Sequence, residues 1–114
     1  MYQTFMIGLV AGVLLAGASV ASAQTPAQVD AGQKVFAAQK CSICHSVAGQ
    51  GNKKGALDGV GSTLTADEIH QWIVNAPEMA VKAKAERKPA MKAYPNLPKN
   101  DLDALEAYLK SLKK

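Results

Sequence analysis

Cys41-Ser42-Ile43-Cys44-His45 is the stretch on which the reading of this chain turns. C-x-x-C-H is the attachment signature of a c-type haem. Two thiols one helical turn apart add across the two vinyl groups of the porphyrin and leave thioether bonds. The His that follows Cys44 is then held under the iron, where its Nε2 serves as proximal ligand. Two other chemistries use cysteines at this spacing. A dithiol redox pair is expected on a βαβ scaffold, and a zinc site wants a second pair of ligands at metal spacing. The chain has 2 Cys, and His70 is its only other His, so that second pair is missing. Haem attachment through Cys41 and Cys44, with His45 at the iron, is the reading that remains.

Upstream of the motif, Phe5 to Ala18 is an unbroken run of apolar residues and Gly. Ala21-Ser22-Ala23 follows, a small-x-small site at which a signal peptidase cuts before Gln24. Residues 1–23 therefore read as a signal peptide and residues 24–114 as one small domain. The start Met1-Tyr2-Gln3-Thr4 carries no Lys or Arg, which leaves an uncleaved, anchoring leader as the alternative. A spanning helix wants about 20 apolar residues. Cleavage is the expectation, because Ala, Gly and Ser crowd the end of the run where an anchor is bulkier.

A domain of this size buries only about 60% of its unfolded surface and is marginal unless something adds to the core. A covalent haem is such an addition. Export also suits the cysteines, since an oxidising compartment tolerates Cys pairs, and the expected location is the bacterial periplasm. The net charge of +4 lies wholly in residues 24–114, because the leader has no charged side chain. Two propionates and an iron centre bring the total to roughly +2 or +3.

Along the domain, Thr25-Pro26-Ala27-Gln28 is a helix start, with Val29, Gly32, Val35 and Phe36 at helical spacing after it. The spacing predicts a helix of about three turns running into Cys41. Gly32 costs about 1 kcal/mol in a helix interior relative to Ala, which suggests that another backbone comes close. Residues 48–63 hold Gly49, Gly51, Gly55, Gly59 and Gly61 and read as loop. They contain no phosphate-binding G-x-x-x-x-G-K-[ST] pattern. Thr65-Ala66-Asp67-Glu68 is a capping box opening a helix with Ile69, Trp72 and Ile73 on one face, ending before Pro77. His70 lies off that face and reads as a solvated helix side chain.

Glu78 to Tyr94 is lysine-rich, reads as weakly structured and holds Met79 and Met91. Each residue before Pro95 and Pro98 is pushed out of the α region. A last helix begins between Pro98 and Asn100, either with Asn100 as cap and Asp103 at N3 or with Pro98 at its mouth. Its stripe is Leu102, Leu105, Leu109 and Leu112, with Ala104 and Tyr108 beside it. No β-strand pattern and no internal repeat is visible. The fold class is all-α, three to four short helices packed around a covalent haem.

These pieces, in this order, resemble the small bacterial monohaem cytochromes c with haem near the N-terminus (class I). The resemblance covers roughly residues 29–113. It rests on Gly32 and Phe36, the Cys41–His45 motif, Leu57-x-Gly59, the Trp72 helix, Met91 ahead of an aromatic and a proline, and Leu105-x-x-Tyr108-Leu109. It implies that the first and last helices cross, with Gly32 and Phe36 against Ala104 and Tyr108. It also implies one haem c with iron held between His45 and Met91 as axial ligands. Many members have Gly-Pro before the Leu of the loop after the motif, and that segment's carbonyl accepts the Nδ1–H of the proximal His. Gly55-Ala56-Leu57 stands here without the Pro, so the acceptor is expected from Gly55 or Ala56.

The implied function is a periplasmic one-electron carrier and not an enzyme. Its partners are redox proteins, expected to present an acidic docking surface, with no nucleic acid and no small-molecule substrate. A membrane enters only through partner complexes or an uncleaved leader. The alternative is a dedicated cytochrome subunit of an oxidoreductase complex. A five-coordinate haem enzyme or gas sensor finds no distal acid–base set, since His70 is the only His outside the motif.

Overall fold

The structure is a computed structural model that describes residues 24–114. The signal peptide expected over 1–23 lies outside the described residues. Thr25 opens the first helix, α1 (Pro26–Ala38): its Oγ1 accepts the Gln28 N–H at 3.1 Å, and Pro26 takes the first helical position, where no N–H is needed. The helix stops three residues short of Cys41. Lys40 adopts the left-handed region (φ 58°), which breaks the helix and swings the chain into a 3₁₀ turn over Cys41–Ile43.

Two strands of two residues each, β1 (Ser46–Val47) and β2 (Gln50–Gly51), then pair antiparallel. This corrects the expectation of a strand-free chain. Ala48 and Gly49 make the turn at φ 51° and 77°, the paired positive angles that a two-residue hairpin needs. The Ala48 N–H donates to Asp58 Oδ1 at 2.7 Å, which holds an unfavourable alanine conformation in place. A second 3₁₀ turn covers Lys53–Gly55, capped by Asn52, whose Oδ1 accepts the Lys54 N–H at 3.1 Å. A single turn of helix, α2, follows at Val60–Thr63.

Helix α3 (Ala66–Val74) carries the capping box as expected: Glu68 N–H donates to Thr65 Oγ1 at 3.1 Å, and Thr65 N–H to Glu68 Oε1 at 3.0 Å. Ile69 and Ile73 are buried in the core. The chain does not loosen afterwards. Residues Ala76–Lys82 form a further helix, α4, so Met79 is helical. Helix α3 ends before Pro77, as expected, and Pro77 itself sits in the first turn of α4, where a missing N–H is harmless and Glu78 complements the helix dipole. The last helix, α5 (Lys99–Ser111), begins beside Pro98 without a side-chain cap, so Asn100 is not the cap.

Helices α1 and α5 cross at the heart of the fold. A Cβ on Gly32 would stand 2.0 Å from the Ala104 carbonyl oxygen and 2.5 Å from Tyr108 Cβ, so only glycine lets the two backbones meet. Beside that contact Phe36 and Tyr108 pack edge to face, centroids 5.6 Å apart at 68°, an arrangement worth about 0.5–1.5 kcal/mol beyond burial. Val35, Phe36, Ile69, Ile73, Leu105, Tyr108 and Leu109 form one core, with Leu57, Leu97, Leu102 and Leu112 against it. Lys110 Nζ donates to the carbonyls of Gly61 (3.0 Å) and Leu64 (2.9 Å), tying α2 and the residue after it to α5. The fold is all-α, with five α-helices among the described residues. Beyond the three helices placed from the sequence stand the single turn α2 and the helix α4.

Candidate haem site

The motif forms a tight local knot. Within it the Cys44 and His45 N–H groups both donate to the Cys41 carbonyl, at 3.1 and 2.9 Å. Asn52 braces the turn from outside. Its backbone N–H donates to Ser42 and His45 carbonyls at 3.0 and 3.1 Å, and its Nδ2 donates to the Ile43 carbonyl at 3.2 Å. These bonds bring both thiols and the imidazole into one short segment, each of the three half-buried.

His45 Nδ1 lies 3.0 Å from the Gly55 carbonyl oxygen. Only Nδ1–H can donate to a carbonyl, so this bond selects the tautomer whose Nε2 lone pair is free, and orients the ring. Of the two acceptors left open by the sequence, Gly55 is the one used. Burial pushes the His45 imidazole below its ordinary value; the Gly55 hydrogen bond opposes this, and the Arg87 charge adds to it. A neutral ring with Nε2 open is the form that binds iron. Burial also pushes the Cys41 thiol up, opposed by its own backbone hydrogen bond and helped by Cys44. A reactive dithiol pair shows the reverse, a depressed thiol, and no βαβ unit surrounds the motif.

The donor set fits a haem c. Two thiols three positions apart suit two vinyl groups, an oriented imidazole follows them, and no alternative cluster of three or more His, Cys, Asp or Glu able to hold a metal exists among the described residues. A cleft of about 360 Å³ opens beside Cys44, lined also by Ile43, Asn52, Lys54, Arg87, Lys88 and Pro89. Tyr94 lies close enough to the thiols that Cys41 and Cys44 both help raise its phenol, after burial as the main cause. Its N–H donates to the Ile73 carbonyl at 2.8 Å and its hydroxyl to the Gln39 carbonyl at 3.5 Å.

Met91 is half-buried in the non-helical segment between α4 and α5, while Met79 is fixed within α4. His70 is not simply solvated: its Nδ1 pairs with Glu106 Oε1 across α3 and α5. That pairing accounts for His70 as a helix-to-helix tie. Arg87 reads in the sequence as one of the basic residues around Met91; its contact with the turn that holds His45 is what the sequence does not show.

The profile of the cytochrome c family matches residues 29–113. The chain belongs to the cytochrome c family, whose members bind haem c covalently and carry electrons; Cys41 and Cys44 stand here in the C-x-x-C pattern. Comparison with curated proteins gives no match, and comparison with solved structures gives none.

Proposed function

We propose that this protein is a bacterial, periplasmic one-electron carrier of the class I kind, with one haem joined through Cys41 and Cys44 and ligated by His45 and Met91. The observation that carries the reading is the 3.0 Å bond from His45 Nδ1 to the Gly55 carbonyl, which turns Nε2 outward as a ligand. The haem, when bound, supplies a one-electron couple. The chain's own work is to hold that group still. Cys41 and Cys44 would hold its edge through thioethers, and His45 and Met91 would ligate the iron, Met91 keeping exogenous ligands out. Methionine opposite histidine raises the potential relative to nitrogen ligation. The same residues serve a dedicated subunit of an oxidoreductase complex, anchored if the leader is retained. Native mass of the purified protein with its haem and partners separates a free shuttle from a subunit.

Intact-mass analysis tests the location. The expected product starts at Gln24, carries one haem and is recovered in the soluble periplasmic fraction. Recovery from the membrane with residues 1–23 retained would replace the shuttle by an anchored form.

Basic residues surround the cleft beside Cys44. Lys54, Arg87 and Lys88 line it. Lys40, Lys53, Lys82, Lys84 and Lys92 lie on the neighbouring segments, all exposed. Ile43, 65% exposed, sits among them as an apolar centre. Such a face suits an acidic redox partner, with steering that can approach about 10⁸–10⁹ M⁻¹s⁻¹ at low salt. Electron-transfer rates with the partner should therefore drop steeply between low and physiological ionic strength, as screening shortens to about 8 Å. A salt-independent rate would rule out the basic face as the docking site.

A further inference from the structure

Met91 sits on a stretch of chain with few attachments. Residues 81–90 are all solvent-exposed. Among the described residues, no backbone N–H between Ala85 and Tyr94 donates to another backbone group. Two ties flank the methionine. Three residues after it, the Tyr94 N–H donates to the Ile73 carbonyl at 2.8 Å, which fastens the segment to α3.

The other tie lies four residues before it. A Cβ built on Gly55 would stand 2.1 Å from Arg87 Nη1, 3.0 Å from Arg87 Cζ and 2.2 Å from the Cys44 carbonyl oxygen. The guanidinium thus reaches the open side of the Gly55 α-carbon through Nη1, with the Cys44 carbonyl beside it. Gly55 is the residue whose carbonyl takes the His45 Nδ1–H. The absence of a side chain at position 55 makes room for the Arg87 guanidinium.

We propose that Arg87 is a positioning residue that fastens the Met91-bearing segment to the turn holding His45. The inference rests on the His45/Met91 reading for its functional consequence, though the contact itself does not. With both ends held, residues 88–93 form a short closed loop, and the set of positions open to Met91 shrinks. Without Arg87 the loop swings from Tyr94 alone, and Met91 leaves its place more often.

The test uses the haem-loaded protein with Arg87→Ala, Arg87→Lys and Lys88→Ala. Lys88→Ala removes the same charge from the same cleft without the Gly55 contact. Two readouts are taken. One is the imidazole concentration that half-displaces the methionine ligand, followed by absorption. The other is the rate at which a lysine-specific protease cuts after Lys84 and Lys92. In Arg87→Ala the half-displacing concentration should fall about three- to tenfold, on the order of one lost side-chain packing contact, and cutting should speed up. Arg87→Lys should fall between, and Lys88→Ala should match wild type. Equal effects of Arg87→Ala and Lys88→Ala, or none from Arg87→Ala, overturn the proposal. Wild-type protein lacking a methionine spectral signature sinks the ligand reading instead, and the cutting rates still decide the Arg87 contact.

Discussion

Met91→Ala is expected to abolish the weak sulfur-to-iron charge-transfer band of the ferric protein and to lower the reduction potential, within the roughly 0.8 V that axial ligands control. Met79→Ala should leave both nearly unchanged. The two methionines differ in what holds them. Met79 is built into α4, its N–H bonded to the Asn75 carbonyl at 3.1 Å. It cannot move without unwinding that helix. Met91 stands in non-helical chain, half-buried, with Tyr94 fastened to α3 just beyond it. A ligand on a non-helical segment can adjust its path into the site, and of these two methionines Met91 is the one so placed. On the proposed ligation, alanine at 91 opens a coordination position, so the ferrous variant should bind carbon monoxide while wild type does not. Loss of the band in Met79→Ala, or ready carbon monoxide binding by wild type, would remove the main support for the shuttle.

The second large effect is expected at Gly32. Gly32→Ala places a methyl 2.0 Å from the Ala104 carbonyl oxygen, a backbone atom that cannot rotate away. Helices α1 and α5 must move apart, and with them the Phe36–Tyr108 contact. Overpacking of this kind costs about 1–3 kcal/mol and occasionally more. The gain of about 1 kcal/mol in helix propensity does not offset a clash with backbone. A net loss of about 2 kcal/mol corresponds to a fall in Tm on the order of 8–16 °C for a domain of this size. Gly59→Ala is the control, because a Cβ there meets nothing nearer than 3.6 Å. Its effect should stay under about 1 kcal/mol. Similar melting of the two variants would mean that the α1–α5 contact is looser than its geometry indicates.

Features built from neighbouring residues were legible in the sequence. Thr25 and Thr65 announce their helices because a cap bonds to a backbone group three residues away. The Cys41–His45 motif is equally local. The Gly32 contact was legible only through an oddity, a glycine inside a helix, and the resemblance supplied its partner. What escaped notice depends on distance or on competing signals. Pro77 can end one helix or start the next, and the choice fell to packing of Ala76, which is fully buried. Strands two residues long cannot show alternation. His70 meets Glu106 only because α3 lies along α5, and Arg87 meets Gly55 only because the chain returns to the motif. Their partners lie 36 and 32 positions away, beyond any periodic pattern.

The α1–α5 crossing also orders events in time. Phe36 and Tyr108 close a loop that spans most of the domain, while the bonds onto the Cys41 carbonyl close over three and four residues. The entropy of loop closure rises with loop length, and non-local contacts come late in folding. The turn that presents the thiols therefore takes shape while the frame that will enclose it is still open. Cys41 and Cys44 are thereby open to covalent chemistry before the last helix has packed. The crossing then shuts behind a group already bonded in place.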